Sequence, residues 1–231
     1  SYAFGECVGD KQTYASYMKQ RNPRLEVINM GVHGYGTDQI LLKLQLEGTK
    51  YHPDVVLLGF VNDDINRINL EFRDYFKPKF IFGDRTLRLT NVPIPPPDIY
   101  KTKLHTYLGL SLRAMFTNTY ESFFYKRVDY EKNILASALL DQMVKTTHEV
   151  GAKLYVVYLP GAAEVATNQI NPNESYNLLC QNTSVVCINP TEALHLYLKT
   201  VQNPALLFQC HYSKEIHQII ASVIDDHLKL Q

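Results

Sequence analysis

The stretch Pro53-Asp-Val-Val-Leu-Leu-Gly-Phe-Val-Asn-Asp63 decides the fold class of this chain. Its residues from 55 to 60 are almost all apolar and lack the alternation that is typical of a strand with one exposed face. A short apolar run, introduced by Pro-Asp and closed by polar residues, predicts a parallel strand that is covered on both faces. Because parallel strands are joined through helices, we expect strands and helices to alternate along the rest of the chain.

The segments on either side of this strand show that alternation. Residues 25–30 (LEVINM) predict an earlier strand, which a glycine-rich turn connects to a helix beginning at Thr37. The other predicted elements are a helix from about Gln12, a helix over 132–150, strands over 153–159 and 185–188, and an amphipathic helix over 213–230. This order indicates a single domain over residues 1–231, with a doubly wound, mostly parallel sheet in a three-layer α/β/α sandwich.

Residues 66–130 interrupt this rhythm as an aromatic-rich insertion. The segment holds 13 of the 26 Tyr and Phe residues of the chain, which is about twice its share by length. It predicts a β-hairpin over 79–89, turning at Gly83-Asp84, then the run Pro95-Pro-Pro97 and a helix that contains residues 108–116. Such an insertion either borders a substrate site as a lid or packs as a satellite core at the sheet edge. The sequence leaves both interpretations open.

Composition and charge exclude several classes of protein. The chain has 23 Lys and Arg against 23 Asp and Glu, with a sequence pI near 7.1. A nucleic-acid-binding protein would show a basic surplus, which is missing here. The longest apolar run, over 55–61, is far shorter than the ~20 residues of a transmembrane helix. We therefore expect a soluble domain, which would be secreted or periplasmic if a signal preceded it in its natural sequence.

The four cysteines leave the redox compartment undecided. Cys7, Cys180, Cys187 and Cys210 look too few and too scattered for a disulfide scaffold or a zinc site, and no CxxC motif occurs. Cys180 and Cys187 could close a small loop in an oxidising compartment. The sequence thus predicts no metal and no cofactor, and it gives no indication of the oligomeric state.

Four short segments, taken in order, resemble the four sequence blocks of the SGNH (GDSL-type) hydrolase superfamily. They are Ser1-Tyr-Ala-Phe-Gly5, Asn29-Met-Gly-Val-His-Gly34, the stretch 53–63 quoted above, and Gln209-Cys-His211 with the residues that follow it. Each segment alone is a weak signal, but the four together are specific. The resemblance implies a flavodoxin-like α/β fold, and cleavage or transfer of acyl groups on oxygen esters without a metal or cofactor.

The resemblance also implies a role for each of the key residues. Ser1 would be the nucleophile and His211 the base that removes its proton, because a Ser hydroxyl alone is a poor nucleophile. The oxyanion of the tetrahedral intermediate would be bound by three donors: the N–H of Ser1, the N–H of Gly34 and the side chain of Asn62. Glycine suits position 34 because a side chain would obstruct the approach of backbone to substrate. Asp63 is predicted to hold the turn rather than to act in catalysis.

The last block departs from the family pattern. The family places an Asp two or three residues before the catalytic His, whereas this chain has Gln209 and Phe208 there. That acid orients the imidazole and stabilises its charged form. Either a Ser–His pair operates with His211 oriented by Gln209 or by a backbone carbonyl, or the chain is a weakened relative.

The first block departs as well, since the family has a strand ending in Gly-Asp immediately before the nucleophile. The sequence begins at Ser1, so we expect that it represents part of a longer natural chain and lacks that first strand. A central strand cannot be omitted without leaving its neighbours unpaired.

The prediction for function is a serine esterase or acyl-transfer enzyme acting on an acyl lipid, an O-acetylated sugar or a small ester. The alternative is an SGNH-fold module that binds a glycan or lipid, or serves as a partner domain, with little or no catalysis. A third interpretation, a nucleotide-binding flavodoxin-like domain, is disfavoured because the glycines over 31–36 do not have the spacing of a phosphate-binding loop.

Overall fold

Three parallel strands form the central sheet of this α/β protein. The computed structural model describes residues 1–71, 76–94, 125–168 and 174–229. Within these residues the strands are β1 (Val55–Phe60), β2 (Lys79–Gly83), β3 (Thr86–Thr90), β4 (Lys153–Tyr158) and β5 (Val186–Ile188). The sheet has the order β1–β4–β5, with Val55 opposite Lys153 and Tyr155 opposite Val186. The antiparallel pair β2–β3 is separate.

Helices connect these strands. The α-helices are α1 (Tyr14–Arg21), α2 (Thr37–Leu46), α3 (Asn62–Arg67), α4 (Tyr125–Glu149), α5 (Ala162–Ala166), α6 (Glu174–Leu179), α7 (Thr191–Leu198) and α8 (Lys214–Lys229). Short 3₁₀ turns occur at Asp10–Gln12, Gly48–Tyr51 and Pro204–Phe208. None of the described helices combines the length and apolar character that crossing a membrane would require.

Side chains of β4 alternate between two hydrophobic clusters, as the period of a strand requires. Leu154, Val156 and Tyr158 are buried in one cluster with residues of α2 and α4. Tyr155 and Val157 are buried in the other, with residues of α1, α7 and α8. The continuous apolar pattern of β4 therefore reflects burial on both faces.

Most predicted elements are confirmed, with shifts of a few residues at their ends. The strand over 55–60 has the predicted bounds, the strands over 153–159 and 185–188 are each one residue shorter, and α8 starts one residue later than predicted. The helix predicted over 132–150 starts earlier, at Tyr125.

The strand predicted over residues 25–30 is wrong. This segment has no strand pairing in the structure. In the described part of the chain, β1 pairs with β4 alone, and residues of β1 and of 24–32 both line a cavity of about 580 Å³. An apolar, β-branched sequence favours extended backbone, but a strand also needs a partner within hydrogen-bonding distance.

The hairpin of the insertion is confirmed, with Gly83 paired to Thr86 across its turn. Phe80 of β2 is buried in the same hydrophobic cluster as α4, so this part of the insertion packs on the main core. The predicted Pro95-Pro-Pro97 run and the helix containing 108–116 lie outside the described residues.

Candidate active site

The first five residues form a tight turn before α1. The Gly5 N–H donates to the Ser1 carbonyl oxygen at 3.0 Å. Gly5 has a φ of +85°, and a Cβ there would lie 2.4 Å from Cγ2 of Thr13, so only glycine fits. Thr13 in turn caps α1 by accepting a hydrogen bond from the Ser16 N–H. The turn that holds Ser1 is thus anchored to the start of a helix.

The second segment packs directly against this turn. The Asn29 side chain donates to the Ala3 carbonyl at 2.8 Å, and its oxygen accepts from the Gly31 N–H at 3.0 Å. A Cβ on Gly31 would lie 2.4 Å from the Phe4 nitrogen, so the two backbones are in contact there. The Ser1 amino group donates to the Val32 carbonyl at 3.3 Å.

Gly34 lies at the turn of the second segment. Its φ is +77°, in the left-handed region that favours glycine. This conformation accounts for the glycine without any reference to a substrate. Whether the Gly34 N–H also serves as an oxyanion donor stays a prediction.

Asn62, the first residue of α3, donates hydrogen bonds from its side-chain amide to other residues of the protein. Its Nδ2 atom donates to the Tyr158 hydroxyl at 3.2 Å and to Oε1 of Glu164 at 2.9 Å. Tyr158 also donates to Glu164, and burial followed by this carboxylate raises the pKa of Tyr158 far above its ordinary value. The Asn62 amide, one of the three predicted oxyanion donors, is therefore engaged by a carboxylate and a phenol.

The turn-holding acid of the third segment is Asp64, and the prediction that named Asp63 is wrong by one position. Asp64 is buried and accepts from the Val61 N–H at 3.2 Å, while Arg67 pairs with it at 3.2 Å. Burial raises the pKa of Asp64 to about 7. Asp63 is exposed, and its ion pair with Arg67 is longer, at 3.5 Å. Sequence cannot distinguish two adjacent acids at the start of a helix.

A disulfide joins the first and last segments. Cys7 is bonded to Cys210 across 203 residues of sequence. The sequence, whose cysteines looked too scattered for a disulfide scaffold, gave no indication of this pairing, whereas Cys180 and Cys187, which it left open as a pair closing a small loop, are bonded as well. His211 follows Cys210, and its ring lies 4.6 Å from the ring of Tyr2 between centroids.

A carboxylate that sequence reasoning missed lies beside His211. Oε2 of Glu6 is 3.6 Å from Nε2 of His211 and 2.8 Å from Nδ1 of His33. Burial lowers the pKa of His211, and the charge of Glu6 opposes that shift. The hydrogen bond with His33 lowers the pKa of Glu6, so Glu6 is a carboxylate at neutral pH. Only knowledge of the Cys7–Cys210 bond could have placed Glu6 here.

Gln209, the predicted replacement for the family acid, is not among the observed partners of the imidazole in the described part of the chain. Its side chain is exposed, and in the described part of the chain it makes no hydrogen bond with His211. The Nδ1 atom of His211 instead faces Sγ of Cys210 at 3.8 Å. The carboxylate observed near the imidazole is that of Glu6, and it faces Nε2.

The four segments meet at one end of the sheet. Besides the contacts above, a Cβ built on Gly59 of β1 would lie 3.7 Å from Cβ of Ala3. The ring of His211 contacts Tyr2, the residue that follows Ser1, while the amide of Asn62 is directed to Glu164.

Comparison of the chain with family models, with curated proteins and with solved structures finds no match in any of the three. The interpretation of the site depends on its own residues and their geometry.

Proposed function

We propose that this chain is an SGNH-type serine hydrolase or acyltransferase acting on oxygen esters. The observation that carries the proposal is the placement of His211 beside Tyr2, with Cys7 bonded to Cys210. These contacts support the proposal because they join the segment that carries Ser1 to the loop that carries His211, and acyl transfer needs a serine and a histidine. The two buried clusters on alternate residues of β4 support the finer fold assignment, a three-layer α/β/α sandwich.

The proposed reaction has the two steps of covalent ester hydrolysis. The Ser1 hydroxyl attacks the ester carbonyl while His211 takes its proton, and His211 then protonates the departing alcohol. Water, or a second alcohol in a transferase, releases the acyl group by the same route. The substrate classes that fit are acyl lipids, O-acetylated sugars and small esters.

Glu6 supplies the negative charge that the last sequence block lacks. Because its carboxylate lies 3.6 Å from the imidazole, it stabilises the imidazolium that forms when the Ser1 proton is transferred. Its exposure to water weakens this stabilisation relative to that of a buried acid.

The oxyanion donors in this proposal are the N–H groups of Ser1 and Gly34 and the side chain of Asn62. For Asn62 to contribute, one of its N–H groups must exchange Glu164 or Tyr158 for the substrate oxygen. The negative charge of the nearby Glu164 carboxylate would destabilise an oxyanion bound to Asn62. Glu164→Gln keeps an acceptor for Asn62 and removes the charge, so it should increase the rate of hydrolysis.

The deciding experiment combines labelling and turnover. The intact chain is treated with a fluorophosphonate probe, the modified residue is located by mass spectrometry, and hydrolysis of p-nitrophenyl acetate is followed. We expect labelling at Ser1, with loss of both labelling and turnover in Ser1→Ala and loss of turnover in His211→Asn. Ser184→Ala, a change at an exposed loop serine, should leave both unchanged. Turnover that persists in Ser1→Ala would refute the proposal.

The second candidate is a non-catalytic binding module of the same fold. The engagement of Asn62 by Glu164 favours it, because a resting site whose oxyanion donor pairs with a carboxylate is poorly prepared for catalysis. This candidate predicts no labelling at Ser1 in the wild type or in Glu164→Gln, together with saturable binding of a glycan or lipid ester that survives intact.

A further inference from the structure

Cys7, Cys210 and His211 form a surface cluster whose chemistry the proposed hydrolysis uses only in part. The two sulfur atoms and an imidazole nitrogen all lie within 4.8 Å of one another. Both cysteines are exposed, so reductants and ions can reach the sulfur atoms. In the structure these sulfur atoms are joined as a disulfide, which offers no thiolate to a metal.

We propose that reduction of the Cys7–Cys210 disulfide opens a zinc site formed by the two thiolates and Nδ1 of His211. Two sulfurs and one nitrogen are three of the ligands that Zn²⁺ prefers, and a water molecule would complete the tetrahedron. The oxidised chain would not bind the ion, so the site would exist only in the reduced state.

The distances suit a tetrahedral ion. With Zn–S near 2.3 Å and Zn–N near 2.0 Å, a tetrahedron has S···N edges of about 3.5 Å and an S···S edge of about 3.8 Å. Nδ1 of His211 already lies 3.8 Å from Sγ of Cys210. Opening the S–S bond must separate the sulfur atoms by only about 2 Å, which side-chain rotation at two exposed residues can supply.

The orientation of the imidazole is an independent observation in favour of a metal. A histidine that binds zinc through one nitrogen commonly gives its other N–H to a carboxylate, which sets the tautomer and ring direction. In this structure Nδ1 of His211 faces the sulfur atoms while Nε2 faces Oε2 of Glu6, at 3.6 Å. Glu6 is therefore placed as the outer partner of the zinc ligand.

The chemical balance needs one external reductant. A phosphine attacks one sulfur atom and breaks the S–S bond, and water then converts the phosphonium to a phosphine oxide, so that the two electrons of the phosphine and the two protons of the water give two thiols. Binding of Zn²⁺ then releases both thiol protons. The bound ion would occupy Nδ1 of His211, so a zinc-loaded chain would lack the base of ester hydrolysis. This consequence depends on the proposed function, whereas zinc binding itself does not.

The test separates this cluster from the other cysteine pair. In the double variant Cys180→Ser, Cys187→Ser, the full chain keeps Cys7 and Cys210. After reduction with a phosphine and desalting without oxygen, we expect one Zn²⁺ per chain, measured by competition with a chromogenic chelator. Co²⁺ as a probe should give the visible spectrum of a tetrahedral site with sulfur ligands. The oxidised form and the reverse variant, Cys7→Ser with Cys210→Ser, should bind neither ion at this affinity.

Two further substitutions in the same background test the remaining members of the site. Glu6→Gln should weaken zinc binding by about 10–100-fold, as loss of an outer partner does, and His211→Asn should weaken it by more than that. Equal affinity in His211→Asn, or no zinc in the reduced parent, would overturn the proposal. If the reduced parent binds zinc but no variant hydrolyses esters, the zinc site stands and the proposed function fails.

Discussion

The Cys7–Cys210 disulfide ties the turn after Ser1 to the loop that carries His211. It closes 203 residues of sequence, whereas Cys180–Cys187 closes only 7. The chain contains no other cysteines, so the two disulfides are a natural matched pair for comparison. They differ in the length of chain that each constrains and in their distance from the candidate active site.

Removing the long-range disulfide should destabilise the protein more than removing the local one. Loop-closure entropy gives roughly 5 kcal/mol for Cys7–Cys210 and about 2 kcal/mol for Cys180–Cys187. We therefore expect Cys7→Ser with Cys210→Ser to lower the free energy of unfolding by more than Cys180→Ser with Cys187→Ser does. Urea denaturation under non-reducing conditions measures both values. Equal losses would show that the long-range disulfide does not constrain the unfolded chain.

Glu6 should support ester hydrolysis through its charge. Glu6→Gln removes the carboxylate near Nε2 of His211, and we expect kcat/KM to fall roughly five- to tenfold because the interaction is partly screened by water. Gln209→Ala is the control, because that exposed side chain makes no hydrogen bond with His211 in the described part of the chain. A larger loss in Gln209→Ala than in Glu6→Gln would restore the role that the sequence had suggested for Gln209.

The buried ion pair of Asp38 and Lys77 should be sensitive to loss of one partner. The side chains are 0% and 3% exposed, and Lys77 also donates to the carbonyls of Leu70 and Pro78. Asp38→Asn leaves a buried ammonium without its counter-charge and should cost about 3–5 kcal/mol of unfolding free energy. Glu47→Gln, which breaks the exposed pair with Lys43, should change it by less than about 1 kcal/mol. Chemical denaturation of both variants would contradict this expectation if the two costs were similar.

His217 should make the fold less stable in mild acid. It accepts a hydrogen bond from the Tyr14 N–H at Nδ1, lies among the rings of Tyr14 and Tyr212, and burial lowers its pKa to about 4. Between pH 6.5 and 4 the unfolded chain binds a proton that the folded chain does not. Stability therefore falls as the pH drops through this window, by about 3 kcal/mol in total.

The substitution His217→Asn isolates this effect. Its Oδ1 can accept the same hydrogen bond and does not titrate, so the variant should lose less stability than the wild type between pH 6.5 and 4. Unfolding free energies at several pH values give the two curves. Parallel curves would show that other groups cause the acid sensitivity.

The sequence predicted those helices and strands that a pattern of neighbouring residues is enough to define. The continuous apolar run over 55–60 indicates a strand that is buried on both faces, and the regular apolar stripe of the last helix indicates its helical period. Both elements were therefore predicted with bounds close to those observed. Residues 25–30 have similar local character, but a strand is defined by its partner, which no local pattern reveals. The prediction of a strand there was wrong for that reason.

The candidate site divides in the same way. Ser1, Gly34, Asn62 and His211 could be selected because short motifs point to them. Glu6 could not, since its proximity to His211 arises from a disulfide between residues 203 positions apart. The choice between Asp63 and Asp64 depended on which side chain turns inward, and that is decided by packing around Arg67 and the backbone of Val61.

Among residues 1–71, 76–94, 125–168 and 174–229, β1 pairs only with β4, and its other edge borders the cavity of about 580 Å³; this has a consequence for how the molecule behaves in concentrated solution. A row of backbone N–H and C=O groups on a strand edge is a template onto which another polypeptide can add. Two copies of the chain presenting this edge would recruit each other's extended segments, so self-association that grows with concentration is the expected hazard during purification. An added peptide of high β-propensity should compete with this self-association. Light scattering would then measure an average mass closer to that of the monomer.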